Sequence, residues 1–454
     1  MVPNMKNLRR SSLFWLLVCT GISVLWGFAA GNSVHGGTLD FQGVYYGTRC
    51  LLEHCDPYNE AALEQVYRAD GGESPSETLQ HRRTVTLYVN LPTTFLFIAP
   101  FALLPWSPAH LLWAALIIAL IFIAALCMCD LSTRHAPGTA VLLCCILLVN
   151  CEVLFGTANT AGVVIGLCVF AVWCFINNRY VVLGILCLAV SLAIKPHDVG
   201  FVWLYLLLAG GVQRKRALQA LAVTAVTAVI ALLWLSHVAP HWLPEMRSNL
   251  AEITAQGGLN EPGPSSKTGR TASMVIDLQA AVSVFEDDPR VYNPVSYAAS
   301  GALLVILCGA ILRSPDPARN EWFALAAISA LSMLVTYHRP YDAKLLLLSI
   351  PACAVLWAEG GLTGWLAVFL TSAGILLTGD IPLAILLEIA KTLDANPDTF
   401  SGKLLTVALT RPASVILLVL AVFYLCVYLR RVFGSDAADD HLPAEKTPAP
   451  SLAP

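Results

Sequence analysis

The run LFWLLVCTGISVLWGFAA at residues 13–30 decides the fold class, because it carries no charged side chain anywhere along its length. A helix of about 20 apolar residues crosses the ~30 Å hydrocarbon layer of a membrane. Comparable runs recur as far as residue 431. The 454-residue chain is 57% hydrophobic and only 13% charged, whereas soluble domains carry about 25% charged residues. We therefore predict an all-α, polytopic integral membrane protein.

Basic residues before this run predict its orientation. Lys6, Arg9 and Arg10 precede it, and basic flanks stay in the cytoplasm, so the first span runs from inside to outside. A cleaved signal peptide is the alternative, but the run is long for the apolar part of such a peptide. The sequence favours an uncleaved anchor in the plasma or inner membrane of the cell.

The later apolar runs predict about twelve transmembrane helices. The stretch 91–105 is short and is broken by Pro92 and Pro100, which suits a re-entrant or interfacial element. If this stretch does not cross, the basic clusters at 214–216 and 430–431 fall in the cytoplasm, and so do both termini. After the first span, the predicted spans are 109–129, 138–151, 158–177, 180–194, 198–212, 217–238, 296–313, 320–336, 341–357, 361–379 and 411–431.

One membrane-embedded domain is predicted over residues 1–431. Within it, residues 31–107 form the first external loop, with juxtamembrane and re-entrant helices, and residues 239–295 form a second external loop. The second loop contains a glycine- and proline-rich stretch from Gly257 onward, which is flexible enough to move over a site. The polar, Pro/Ala-rich tail at 432–454 is predicted to be disordered in the cytoplasm.

The first external loop contains the unusual stretch GGTLDFQGVYYGTR at residues 36–49. Asp40 is placed to cap a helix over about 41–53. Apolar residues recur there at three- and four-residue intervals, which predicts a juxtamembrane helix lying on the membrane surface. Cys50 and Cys55 lie in the same loop, and a local disulfide can form between them if the loop faces an oxidising compartment.

Ionisable and polar side chains gather on the external side with Asp40 under this topology. They are Glu152, Asn159, Lys195, His197, Asp198, His338, Arg339, Asp342 and Lys344. Ionisable groups at membrane depth are costly and are functional candidates by default. External cations run against the positive-inside bias, so we expect them to meet an anion such as a phosphate. The bland alternatives are that Asp40 only caps its helix and that Lys195 extends its ammonium to the membrane surface.

An external carboxylate together with external cations predicts transfer from a phosphate-bearing lipid to a hydroxyl group. The sequence contains no P-loop and no GxSxG or HExxH motif in a suitable context, and it has no basic stripe that would bind nucleic acid. A zinc site at Cys50 and Cys55 is disfavoured, because no second Cys or His pair has ligand spacing. We therefore predict a membrane protein with no nucleic-acid partner, no metal ligands and no cofactor, while a cation site that includes Asp40 stays open as an alternative.

Five short motifs follow one another within residues 13–357. They are Asp40-Phe41 with Tyr45-Tyr46 and Asp56-Pro57-Tyr58, the proline-bearing stretch Leu91-Pro92 to Leu104-Pro105, Gly156-Thr-Ala-Asn159, Ala193-Ile-Lys-Pro196, and Tyr341-Asp342. In this order they resemble the motifs of glycosyltransferase family 87, in the C-type superfamily. Thr157 stands where that family has a glutamine, and His54-Cys55 stands where it has a glycine-rich bend.

The resemblance implies an inverting transferase that uses a polyprenyl-phosphate sugar, often mannose, at the external surface, with a lipid or glycan as acceptor. It also implies that Asp40 is the catalytic base and that Lys195 contacts the donor phosphate. His338, Arg339 and Lys344 are further candidates for the phosphate. The candidates for sugar or acceptor binding are Tyr45, Tyr46, Arg49, Glu152, Asn159, His197 and Asp342.

Simpler roles stay open for several of these residues. The two tyrosines can instead pack at the membrane interface, and Glu152 and Asn159 can cap helices. A transporter or flippase of lipid-linked glycans is the rival class of function, although the sequence shows no repeated halves. A polymerase or ligase of lipid-linked glycans would share much of the same chemistry.

Overall fold

The computed structural model describes residues 5–33, 39–70, 79–263, 274–393 and 399–433. These residues form helices, turns and bends, and no strand occurs among them. The all-α prediction is therefore confirmed for the described part of the chain. The predicted disordered tail lies outside the described residues from 434 onward.

The helices of the first half run from the N-terminus to the second external loop. They are α1 Met5–Ser33, α2 Leu39–Leu52, α3 Glu60–Ala69, α4 Leu79–Thr86, α5 Thr93–Ala102, α6 Trp106–Ser132, α7 Pro137–Val149, α8 Glu152–Thr157, α9 Ala161–Ile176, α10 Val181–Ile194, α11 Pro196–Leu208, α12 Gly211–Val238 and α13 Trp242–Thr254.

The helices of the second half follow from residue 278. They are α14 Leu278–Val282, α15 Pro289–Arg313, α16 Glu321–Val335, α17 Ile350–Glu359, α18 Gly361–Leu377, α19 Asp380–Thr392, α20 Phe400–Thr410 and α21 Pro412–Phe433, with 3-10 turns at Pro317–Asn320 and Asp342–Ser349.

Five described helices are long and apolar enough to cross a membrane. They are α6, α12, α15, α21 and the part of α1 at Ser11–Ala29. Helices α18 and α19 pass the same test as a pair, but they are bent by 79° at a break between them. By length and composition the described chain therefore has five spans, or six if the bent pair is one span.

The twelve-span prediction is not confirmed. Several predicted spans correspond to helices of 13 to 16 residues, among them α7, α9, α10, α11 and α16. A straight helix needs about 20 residues to cross the hydrocarbon layer. The predicted span at 341–357 is divided into a 3-10 turn and the ten-residue helix α17. Hydropathy predicts one long span in place of such shorter helices, because apolar residues continue through the breaks between them.

Helix α9 lies at the centre of the core. Most of its residues are buried, and it packs between α6 and α10. A helix that is apolar on all sides is stable only when it is surrounded. Helices α16 and α21 form a second tightly packed pair. This core holds the ends of α8, α10 and α16 in fixed positions, and these ends carry the polar residues described below.

Helix α1 crosses the short helix α8 where two glycines meet. A Cβ added to Gly156 would lie 2.6 Å from the carbonyl oxygen of Gly27, closer than real Cβ contacts. The backbones can approach this far only because both residues lack a side chain. The crossing seats α8, and with it the turn that follows, directly against the N-terminal span.

The first-loop helix α2 differs from its prediction in two respects. It begins at Leu39, so Asp40 lies in the first turn rather than before the helix. Its predicted apolar face is buried, but so is Tyr46 on the predicted polar side. Helix α2 packs against α3, α4 and α5, so protein rather than membrane or solvent covers most of its surface. The stretch 91–105 contains the ten-residue helix α5, which is too short to cross the hydrocarbon layer.

Candidate active site

Asp40 and Asn159 meet across 119 residues of sequence. The Asn159 amide nitrogen Nδ2 donates a hydrogen bond of 2.9 Å to Asp40 Oδ2. Asp40 is half-buried in the first turn of α2, where the positive end of the helix dipole favours a carboxylate. Its Oδ1 atom has no hydrogen-bond partner among the residues that the structure describes. This oxygen can accept a hydrogen bond from a bound molecule.

The turn after α8 orients Asn159. Ala158 adopts a left-handed conformation with φ of 53°, and its carbonyl accepts a hydrogen bond of 2.9 Å from Trp113 Nε1. The backbone N–H of Ala161 donates to Asn159 Oδ1 at 2.8 Å. Because Oδ1 acts as the acceptor there, Nδ2 is left to donate to Asp40. The start of α9 thus fixes which way the amide faces.

A second polar group, here called the ion cluster, consists of Lys195, His197, Asp198, His338 and Asp342. Lys195 lies at the break between α10 and α11, where the following proline ends the first helix. Its Nζ atom is 2.6 Å from Asp342 Oδ1 and 3.4 Å from Asp198 Oδ2. Both carboxylates are almost fully buried. One lysine therefore lies between two buried acids.

The two histidines of the ion cluster converge on one oxygen atom. His197 Nε2 and His338 Nε2 lie 3.2 Å and 3.4 Å from Asp198 Oδ1. His338 Nδ1 donates to the carbonyl of Thr336 at 2.7 Å. Burial lowers the pKa of His338, but the neighbouring Asp198 carboxylate outweighs burial and raises it. The three side chains are of the types that bind transition metals, and their ligand atoms lie within 4.8 Å of one another.

Arg339 links the ion cluster to Asp40. Its backbone N–H donates to Asp342 Oδ2 at 2.8 Å. Its guanidinium donates to the Tyr337 hydroxyl and, at 3.2 Å, to the Leu259 carbonyl. Burial lowers the pKa of Arg339, but its interactions with the Tyr337 hydroxyl and the Asp40 carboxylate raise it. Asp40 is thus near enough to act electrostatically on this segment.

Lys344 lies in a further group with two acids. Lys344 and Glu152 are each 2% exposed, and both interact electrostatically with Asp380. Both carboxylate oxygens of Glu152 are buried and have no hydrogen-bond partner among the described residues. Asp380 was not among the predicted site residues. The sequence feature that could have identified Asp380 is an acidic residue directly after Gly379, at the break between two apolar helices.

A first-loop aromatic cluster consists of Phe41, Tyr45, Tyr46, Trp106 and Trp113. Phe41 stacks on Trp106 and Trp113 with ring centroids 5.7 and 5.3 Å apart, and Tyr46 stacks on Trp106 at 5.8 Å. All three aromatic residues of α2 are at most 3% exposed. The cluster holds the N-terminal half of α2, and therefore Asp40, against the start of α6.

The polar atoms of the tyrosine pair are engaged inside the first loop. The Tyr45 hydroxyl donates to the Leu104 carbonyl at 2.8 Å and accepts from Arg49 at 2.9 Å. The Tyr46 hydroxyl donates to Asp70 at 3.4 Å. The structure therefore brings Asn159 to Asp40, and His197, His338 and Asp342 to Lys195, whereas Tyr45, Tyr46 and Arg49 bind within their own loop.

Cys50 and Cys55 form a disulfide, with their Cα atoms 5.0 Å apart. The pair closes the loop just where α2 ends at Leu52. His54 has φ of 63°, so the chain turns sharply between the two cysteines. The bond anchors the end of α2 that points away from Asp40.

Comparison with known proteins identifies a family. The family model of glycosyltransferase family 87 matches residues 88–338, which is more than half of the 454-residue chain. The matched region contains the turn with Asn159, the segment with Lys195, and His338. A search of the curated proteins and a search of the solved structures found no match. The family match favours the enzyme over the transporter alternative.

Proposed function

The chain belongs to glycosyltransferase family 87, and on this premise we propose that it moves one sugar, mannose, from a polyprenyl phosphate to a hydroxyl group of a lipid or glycan, with inversion. The acceptor oxygen attacks the anomeric carbon while the bond from that carbon to the phosphate oxygen breaks. The electron pair of that bond leaves with the polyprenyl phosphate. The proton of the acceptor hydroxyl goes to the protein.

Asp40 is the general base in this proposal. The supporting observation is its hydrogen bond to Asn159, because that bond occupies Oδ2 and leaves Oδ1 directed to a bound hydroxyl. A positioned base contributes about 10²–10⁴-fold to a proton-transfer step. Asn159 acts by orienting the carboxylate, which makes it a positioning residue. Trp113 and the aromatic cluster keep the two elements together.

The donor phosphate binds beside the ion cluster. Charge grows on the phosphate as the sugar leaves, and preorganised cations stabilise it. Lys195, His338, Arg339 and Lys344 supply those cations. Lys195 is already paired with Asp342, so it shares its charge between that acid and the phosphate. His197 and Asp342 position these cationic side chains. They do not bind the sugar.

The acceptor binds on the side of Glu152 and Asn159. Glu152 carries two buried oxygens without hydrogen bonds, and sugar hydroxyls are suitable donors for them. Tyr45, Tyr46 and Arg49 support the first loop and do not contact the sugar. The site opens to the external face of the cell membrane, with the termini in the cytoplasm and residues 1–431 acting as one domain.

Replacing the base tests the proposal directly. Transfer from mannosyl-phosphoryl polyprenol to membrane lipid acceptors is measured with the purified full chain in detergent. Asp40→Asn should lower kcat by more than about 100-fold and leave thermal unfolding unchanged. Glu64→Gln is the matched control, since it neutralises an acid of the same loop that pairs with Arg68. Near-normal turnover by Asp40→Asn would reject Asp40 as the base.

A further inference from the structure

The ion cluster contains an arrangement that its own hydrogen bonds do not explain. His197 Nε2 and His338 Nε2 approach the same oxygen, Asp198 Oδ1, whereas Lys195 lies nearer the other oxygen, Oδ2. Two imidazoles from distant parts of the chain thus converge on one atom.

Two of the three converging atoms are also buried without hydrogen bonds. Both oxygens of Asp198 and Nε2 of His338 are buried and have no hydrogen-bond partner among the described residues. Buried polar groups without partners destabilise a protein, and native proteins contain few of them. Both histidines instead lie at ion-pair distances from Asp198. The arrangement suits a partner located between the three side chains.

Two of the three separations match those of ligands around one metal ion, and the third is at most 4.8 Å. Nitrogen and oxygen ligands lie about 2.1 Å from zinc, so neighbouring ligands in a tetrahedral site are about 3.4 Å apart. The two distances to Asp198 Oδ1 are 3.2 and 3.4 Å. Nδ1 of His338 donates to the Thr336 carbonyl, and metal-binding histidines commonly donate their other ring nitrogen in this way. Nε2 is thereby the atom left for the metal.

The charges around the site leave room for a cation. Lys195 with Asp198 and Asp342 carries a formal charge of −1, and a proton on His338 would bring the sum to zero. Arg339 and Lys344, which also face the phosphate in the proposed function, lie outside this sum. A divalent ion in place of that proton brings the sum to +1, and His338 then acts on the phosphate through the ion. Lys195 stays 2.6 Å from Asp342, so its ammonium pairs with an acid outside the proposed ligand set.

We propose that His197 Nε2, Asp198 Oδ1 and His338 Nε2 bind one divalent transition-metal ion of the zinc class, whose open position faces the donor phosphate. Two imidazoles with one carboxylate favour zinc over magnesium or calcium, which prefer oxygen ligands alone. Binding of the ion follows from the protein's own side chains. Its contact with phosphate rests on the proposed function.

Metal titration tests the site without reference to activity. The full-length protein, free of any histidine tag, is dialysed against a chelator and titrated with ZnCl2 by calorimetry, and bound zinc is counted by mass spectrometry. We expect about one zinc per chain. His197→Ala and His338→Ala should weaken binding by more than about tenfold, since even second-shell changes cost that much. His135→Ala, an exposed loop histidine, should bind zinc like the wild type.

A second pair of measurements covers folding and function. If His338→Ala does not purify as a folded protein, His338→Gln and Asp198→Asn replace it, because both keep nearly the same shape. Zinc binding that survives in all these variants, or no stoichiometric zinc in the wild type, would overturn the proposal. Full sugar transfer by the metal-free wild type would also overturn it while leaving the proposed function intact. Zinc binding without any transfer would instead reject the proposed function alone.

Discussion

The first-loop aromatic cluster and the ion cluster are both largely buried, apart from the exposed His197, but they satisfy their polar atoms differently. In the aromatic cluster the Tyr45 hydroxyl both donates and accepts hydrogen bonds within the loop. In the ion cluster both oxygens of Asp198 lack hydrogen bonds. Both regions contain buried ionisable side chains, so the presence of such side chains does not distinguish them. They differ in how many buried polar atoms have no hydrogen-bond partner.

This difference distinguishes residues that stabilise the fold from residues that are available to bind a ligand. A buried group whose hydrogen bonds are complete stabilises the fold and has little left for a ligand. A buried group without them costs stability and persists where binding something else compensates. On this argument the two tyrosines stabilise helix α2, whereas Asp198, His338 and Glu152 bind a ligand or an ion. Each variant below tests one side of the comparison.

The largest effect is expected for Lys195→Ala. Removing the lysine leaves Asp198 and Asp342 buried without their shared cation, which should destabilise the protein by about 3–5 kcal/mol. Chemical denaturation of the purified protein measures the change. Lys391→Ala, which breaks an exposed pair with Glu388, should cost no more than about 1 kcal/mol.

The double variant Lys195→Ala/Asp342→Asn separates stability from donor binding. Neutralising Asp342 should restore part of the lost stability, because one buried charge is removed. It should not restore use of the donor, which needs the lysine charge. A double variant with normal KM for the donor would show that Lys195 serves the fold alone.

A smaller effect is expected for Asn159→Ala. Without the amide, the Asp40 carboxylate loses its orientation, and kcat should fall by about tenfold because small misplacements are costly. KM for the acceptor and thermal stability should change little. Asn177→Ala is the control, since that exposed amide contacts only the Trp173 carbonyl. An unchanged kcat would mean that the turn at 158–160 does not position the base.

The smallest effect is expected for Tyr46→Phe. The variant removes one long hydrogen bond to Asp70 and should cost about 0.5–1.5 kcal/mol, with sugar transfer within twofold of wild type. Steady-state transfer assays and denaturation curves measure both. A large loss of transfer with normal stability would restore the sugar contact predicted from the sequence.

The sequence predicts a membrane protein and many of the polar site residues, because both signals lie within short stretches of the chain. Long uncharged runs indicate membrane helices, and the short motifs around Asp40 and Lys195 lie at the ends of helices. The number of spans could not be predicted, because a break such as that at Asp342–Ser349 leaves hydropathy unchanged. The convergence of His197 and His338 on Asp198 could not be predicted either, since it depends on how α11 packs against α16.

The crossing of Gly27 and Gly156 has a consequence for how such a protein can evolve. A larger residue at either position would push α1 and α8 apart, and the displacement would reach the amide of Asn159 two residues after α8 ends. Neither glycine bears a functional group, yet the close approach of the two backbones requires both of them. Relatives with an alanine at one position should carry compensating changes on the facing helix. Substitutions at position 27 should therefore change the position of the catalytic base, although this residue does not contact it.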